Sequence, residues 1–248
     1  MVLGGLFRRL GYALIVCFSA PLWCADGEVT VEELVPGVLL HSSEEYTPSF
    51  GRVSSNGLVL VRGNAAYMVD TPWSLEDTAA LIAWIENAGY LLKGVLVTHS
   101  HEDRSGGLAL VNSLDIPTYA SKLSNALLAK DGRAQAQFDF VDASFWWLSD
   151  AVEVFYPGAG HTSDNHVVWL PDQRVLYGGC LVRSAASKSL GFVGEADLSA
   201  WPQTIKELTK RFSNVAVVVP GHGAVGGPEL LSHTLLLAEQ GALRENDR

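Results

Sequence analysis

His99-Ser100-His101-Glu102-Asp103-Arg104 is the densest run of potential ligands and charges in the 248-residue chain. In extended backbone, residues i and i+2 point the same way, so His99 and His101 can reach one ion together. Asp103 continues that alternation toward a second point nearby. Imidazole and carboxylate at such spacing suit zinc. A single histidine is more often a core or surface residue than a ligand. Three candidates at alternating positions after an apolar run favour the metal.

Three further ligand types recur in the same setting. His161 follows Pro157-Gly158-Ala159-Gly160, Cys180 follows Tyr177-Gly178-Gly179, and His222 lies in Pro220-Gly221-His222-Gly223. Each closes an apolar run on a glycine-bearing loop, and sites in layered folds gather at strand ends. Cys180 as thiolate is a strong zinc ligand, which gives this cysteine a role. The other histidines read differently. His166 leads into a strand and suits a structural or rim role, His41 suits the surface or core, and His233 suits the last helix as a structural residue.

The elements that must position these residues alternate. Val38–His41, Ser55–Arg62 and Ala65–Asp70 read as strands, punctuated by Asn56-Gly57 and Gly63-Asn64. Ser74 to Ala88 reads as a helix with Ser74 as N-cap, followed by a buried strand over Gly94–Thr98. Ser105–Leu114 and Lys122–Lys130 read as helices around an extended Thr118–Ala120. Phe145–Leu148, Val152–Tyr156, Val167–Leu170 and Val175–Gly178 then read as strands. A helix over Leu198–Phe212, a strand over Val215–Val219 and a helix over Gly227–Gln240 close the chain. Two similar halves of hairpins and helices imply an α/β fold with two sheets face to face and helices outside.

Composition narrows the partners. Net charge is −10, which argues against nucleic acid and against a polybasic membrane patch. Arg8 and Arg9 precede an apolar stretch from Leu10 to Trp23, and acids begin only at Asp26. That stretch of about 14 residues falls short of the roughly 20 of a membrane-spanning helix and matches a secretory signal. The expected division is a cleaved signal over residues 1–25 and one domain over residues 26–248. Lipid attachment at Cys24 is the alternative, disfavoured by the bulky Trp23 before it. Cleavage takes formal charge from −10 to −10 − 2 = −12, since the segment holds Arg8 and Arg9 and no acid. It also leaves Cys180 as the single cysteine, unable to form an internal disulfide.

The chain resembles the metallo-β-lactamase superfamily and, within it, the class B β-lactamases of subclass 1. The motifs are Asp70-Thr71-Pro72-Trp73, the His99–Arg104 block, Gly160-His161-Thr162, Gly178-Gly179-Cys180 and Pro220-Gly221-His222-Gly223, over about Val29 to Gln240. Other branches carry histidine where this chain has Arg104 and a bridging aspartate where it has Cys180. The resemblance implies an αββα sandwich and two Zn2+ ions. His99, His101 and His161 would hold one, and Asp103, Cys180 and His222 the other. Asp70 and Arg104 would lie beneath them. It further implies a periplasmic enzyme, monomeric by default, that opens the β-lactam rings of penicillins, cephalosporins and carbapenems and confers antibiotic resistance. A zinc-bound hydroxide would attack, Asp103 would orient it, and no acyl-enzyme would form.

For the substrate carboxylate the resemblance points to Arg183, three residues after Cys180, with Lys188 in reserve. Segment Ser42–Val53 would be a mobile hairpin flanking the groove, with Tyr46 and Phe50 meeting apolar substrate groups. One position departs: Phe192 stands where many relatives carry an asparagine that assists at the carbonyl oxygen. Phenylalanine cannot donate that hydrogen bond. Two rivals remain at this point, a lactonase or thioesterase on the same scaffold and a non-catalytic secreted zinc-binding protein.

Overall fold

The computed structural model describes residues 29–141 and 143–246; the expected signal segment, with Cys24, lies outside them. Strand alternation explains the layering. Strands β1 (Thr30–Val35), β2 (Val38–Thr47), β3 (Gly51–Arg62), β4 (Ala65–Val69), β5 (Leu91–Leu96), β6 (Thr118–Ser121) and β7 (Phe138–Phe140) form one sheet in chain order. The pairs from β1 to β4 are antiparallel, and those from β4 to β7 are parallel. Along β3, Leu58 and Leu60 point into a core shared with the second sheet, while Val59 points the other way.

The second sheet has five strands in the order β12-β11-β10-β9-β8. They are β8 (Ser144–Trp147), β9 (Val152–Phe155), β10 (Val167–Leu170), β11 (Val175–Gly179) and β12 (Val217–Pro220), and only β11 with β12 pairs parallel. In β10, Val168 and Leu170 face the first sheet, and Val167 and Trp169 face outward. The outer faces are covered by helices. Leu81, Ile82 and Ile85 of α1 (Leu75–Asn87) cover Val59, Met68 and Val95. Trp201, Ile205 and Leu208 of α5 (Trp201–Arg211), with Leu230 and Leu231 of α6 (Glu229–Asn246), cover Trp169 and Leu176. The result is the αββα sandwich of two mixed sheets.

Several boundaries differ from the sequence reading. Strands β1 and β7 were not anticipated: β1 is an edge strand with mostly exposed or half-exposed residues, and β7 spans only Phe138–Phe140. The expected helix over Ser105–Leu114 is two short helices, α2 (Glu102–Ser105) and α3 (Leu108–Ser113). The break falls at Gly106-Gly107, where the Trp73 carbonyl leaves room only for glycine, since a Cβ on Gly106 would lie 1.9 Å from it. Asn56-Gly57 is no turn but lies within β3, where Gly57 lets the buried His41 ring pack flat on the strand. Helix α4 (Lys122–Lys130) keeps its expected bounds, with Ser121 as N-cap. Helix α5 starts at Trp201 rather than Leu198, because Asp197 Oδ1 accepts from the Ala200 amide in a turn before it.

Candidate metal centre

Four chain segments bring the six candidate ligands together, each just past the C-terminal end of a strand. His99 to Asp103 follow β5, His161 follows β9, Cys180 follows β11, and His222 follows β12. His101 occupies the N-cap position of α2, so its backbone is still extended (φ −63°, ψ 154°) while Asp103 already lies in the first turn. Glycine makes one approach possible. A Cβ on Gly221 would lie 2.7 Å from Cys180 Sγ, so only glycine lets the His222 loop close on the thiol.

Two groups of ligand atoms result. His99, His101 and His161 present nitrogens within 4.8 Å of one another, with His101 Nδ1 3.0 Å from His161 Nε2. Asp103 Oδ2, Cys180 Sγ and His222 Nε2 form a near-equilateral triangle with sides of 3.2, 3.2 and 3.3 Å. Tetrahedral zinc with bonds of 2.0–2.3 Å places its ligand atoms about 3.3–3.8 Å apart. His99 also falls within 4.8 Å of Asp103 and Cys180, so the two groups adjoin.

The protonation states suit a cation. Burial, reinforced by neighbouring histidines, drives the imidazoles of His99 and His161 well below their ordinary pKa, leaving them neutral with lone pairs free. His99 Nε2 and His161 Nδ1 are buried with no hydrogen-bond partner. Such groups are costly without a ligand or water. Burial raises the Asp103 carboxyl, but Arg104, His222 and His99 outweigh it and hold Asp103 well below the usual range. Burial pushes the Cys180 thiol up, with Arg104 pulling the other way. These donor types and separations fit zinc.

Beneath the second group lies a buried polar network. Arg104 is fully buried and uses all five N–H donors. Nε and Nη2 grip Asp103 Oδ2 at 3.0 and 2.8 Å, and Nη2 also donates to Gly221 O at 2.9 Å. Nη1 donates to Tyr177 Oη at 2.7 Å and to the Asn56 carbonyl. Asp70 Oδ2 lies 2.7 Å from Tyr177 Oη and 3.8 Å from Arg104, and Asp70 accepts twice from Thr98, the residue before His99. Burial lifts the Asp70 carboxyl to about 6 against the pull of Arg104. Asp70 also holds a positive φ of 60°, a strained conformation that this network sustains.

A cleft of about 620 Å3 opens over both groups, with Phe50, Trp73, Arg183, Phe192 and Glu195 in its walls. Of the anticipated substrate contacts, Arg183, Phe192 and Phe50 reach it. Lys188 and Tyr46 are exposed and outside its lining. The Phe192 ring stands edge-on to His101 with centroids 5.8 Å apart. The segment Ser42–Val53 is the β2–β3 hairpin, with Phe50 at its turn. His41 is buried, its Nε2 donating to the Asp70 carbonyl at 3.0 Å. His233 Nε2 lies 2.9 Å from the Ser187 carbonyl, in keeping with a structural role.

Three positioning residues escaped the sequence reading. Tyr177 sits at the hub of the buried network, Asn56 clamps the His222 loop through Pro220 O and Gly223 O, and Glu195 Oε2 lies 3.2 Å from His101 Nε2. Tyr177 was visible only as part of the run before Cys180, and Asn56 only as a turn signal. Glu195 lies three residues past Phe192 and is the one acid in that loop facing the cleft.

Known proteins resemble this chain in sequence and in fold. The family model described as the metallo-beta-lactamase superfamily matches residues 50–222. A protein named metallo-beta-lactamase type 2 from Pseudomonas aeruginosa is 39% identical over 240 residues, 96% of each chain. One of the same name from Bacillus cereus is 39% identical over 211 residues, covering 84% of this chain and 82% of that one. Among solved structures, TMB-1 is 45% identical with a TM-score of 0.85, covering 88% of this chain and all of that one. FIM-1 from Pseudomonas aeruginosa, solved in a mono-zinc form, is 35% identical with a TM-score of 0.82, covering 86% of this chain and 96% of that one. By likeness along nearly its whole described length, the chain belongs to the metallo-β-lactamase superfamily of hydrolases, in its class B, subclass 1 branch.

Proposed function

We propose that this protein hydrolyses the amide bond of penicillins, cephalosporins and carbapenems with two zinc ions and so confers resistance to them. The observation that carries the reading is the pair of adjoining groups of donor atoms on the floor of one cleft, the three histidine nitrogens within 4.8 Å of one another and the Asp103, Cys180 and His222 atoms 3.2–3.3 Å apart. His99, His101 and His161 hold one ion, and Asp103, Cys180 and His222 the other. Zinc bound there supplies Lewis acidity and lowers the pKa of water to about 7. FIM-1 is named with a single zinc, which supports the identity of the metal.

The chain's own residues do the rest. The Asp103 carboxylate, ionised by Arg104, orients the attacking water toward the carbonyl carbon. Arg183, in the wall of the cleft, binds the substrate carboxylate. Phe192 and Phe50 give apolar walls for the substrate side chains. Phe192 donates no hydrogen bond, so oxyanion stabilisation falls more heavily on the metal site. Lys188 and Tyr46 lie outside the cleft lining and reach the substrate through movement of their segments on binding. Ser42–Val53 is the segment proposed to move.

Export fits the same reading. Residues 1–25 serve as a cleaved signal, Cys24 carries no lipid, and residues 26–248 act in the periplasm as a monomer. Among the described residues no helix is long and apolar enough to cross a membrane. A panel of a penicillin, a cephalosporin, a carbapenem and a monobactam tests the activity. Hydrolysis of the first three with the monobactam spared is expected. Turnover of none of them, with lactone or thioester cleavage instead, overturns the reading.

A further inference from the structure

A second cavity, of about 530 Å3, shares no lining residue with the cleft. Its volume is in the range of small-molecule sites. His166 stands in its wall between two aromatic rings. Phe140 meets it edge-on with centroids 5.3 Å apart, and Tyr156 leans on it at the same distance. Leu123 and Ala126 of α4 form an apolar rim.

The hydrogen bonds of His166 define what it offers. Nδ1 lies 2.8 Å from the Asp164 carbonyl, and a carbonyl only accepts, so Nδ1 carries the proton. Nε2 then holds the lone pair of the neutral ring, and no protein donor meets it. Asp164 lies in the same lining and is fully buried. Its Oδ2 accepts from the Ser100 amide at 2.8 Å, while its Oδ1 has no partner. The cavity therefore combines aromatic walls with acceptors that lack donors. Buried polar groups are normally satisfied, so Asp164 Oδ1 marks a ligand or water position, and His166 Nε2 adds an open acceptor beside it.

We propose that this cavity binds a small aromatic molecule bearing one hydrogen-bond donor, of the phenol class, with its hydroxyl on His166 Nε2 and its ring against Phe140, Tyr156 and Leu123. Occupancy is transmitted to the metal centre, because Asp164 joins the cavity to the Ser100 amide, between His99 and His101. Nothing in the β-lactamase reading calls for this site.

The test is a titration of the zinc-loaded enzyme with 2-naphthol, followed by protein NMR, with 2-methoxynaphthalene as the analogue lacking the donor. Saturable shifts at the His166 ring and the Ser100 amide are expected. One neutral hydrogen bond predicts about fivefold weaker binding of the methyl ether, and the same loss of 2-naphthol affinity in His166→Leu. Ala126→Phe, on the exposed rim of α4, should block both ligands without touching the core. Shifts confined to His101 and Phe192 would place the ligand in the cleft and overturn the proposal. Absence of saturation, or affinity unchanged in both variants, would overturn it equally.

Discussion

The two ligand groups lie side by side but are built in opposite ways. The three-histidine group rests on burial, ring packing and the anchoring of its backbone, with Glu195 as the one charged side chain against its rings. Its rings meet edge-to-face at 4.9–5.2 Å, and two of its buried nitrogens have no partner. The Asp103–Cys180–His222 group is fixed from below. Arg104 ties Asp103 to Gly221 O, and His222 Nδ1 is fixed by the Ser54 carbonyl at 2.6 Å. The first group is held in place mainly by the backbone that carries it. The second depends on a buried cation that neutralises an aspartate and, with metal, a thiolate. Outer partners of this kind set ligand orientation and affinity.

Breaking the foundation should therefore injure one group far more than the other. Arg104→Ala leaves Asp103 buried without its cation and removes the five hydrogen bonds that Arg104 gives to four acceptor atoms. A stability loss of about 3–5 kcal/mol is expected in denaturant melts of the zinc-loaded protein. Zinc content should fall toward one ion per chain, with the three-histidine group still filled. Equal loss from both groups would erase the contrast.

Acidity acts on the same foundation through His41, whose Nε2 donates to the Asp70 carbonyl. Burial lowers its pKa from 6.5 to about 4. Between those values the unfolded chain binds the extra proton, so stability rises with pH across the window and is complete above about 6.5. The gain is roughly 3 kcal/mol, lost as pH falls toward 4. Asp70, raised to about 6, titrates there with the opposite sign. Denaturant melts of metal-free wild type and His41→Gln, compared from pH 4 to 7, isolate the His41 part. Identical slopes in the two proteins would contradict it.

Cys180→Ser removes a proposed ligand and leaves the network standing. Catalysis should fall about 100-fold with only a small change in melting temperature, because this change strips the metal rather than the scaffold. The smallest effect is expected at the lightly supported group. Glu195→Gln weakens the one charged partner of His101 and should lower zinc affinity there about tenfold at most, since Glu195 is half exposed. Competition with a chromophoric chelator reads that change.

The contrast also explains what the sequence made legible. The ligands stood out because each ends an apolar run, and i, i+2 spacing after a strand is a local property. Layering was legible too, since alternation along β3 and β10 assigns faces. Tyr177, Asn56 and Glu195 were hidden because their roles exist only between segments far apart in the chain. Tyr177 in a run of buried strand residues reads as core, and it is core that also carries a hydroxyl to Arg104. Edge strand β1 and the break at Gly106 were equally invisible. One lacks a buried face, and the other falls where the chain packs against a carbonyl 33 positions earlier, at Trp73.

The central claim is that both groups hold zinc and that the metals open a β-lactam. Stepwise return of zinc to the chelator-stripped enzyme, with nitrocefin turnover and bound zinc measured at each step, tests it most directly. No turnover without metal and full turnover by two ions per chain are expected. Undiminished turnover in the metal-free protein, or two bound ions with none, would contradict it.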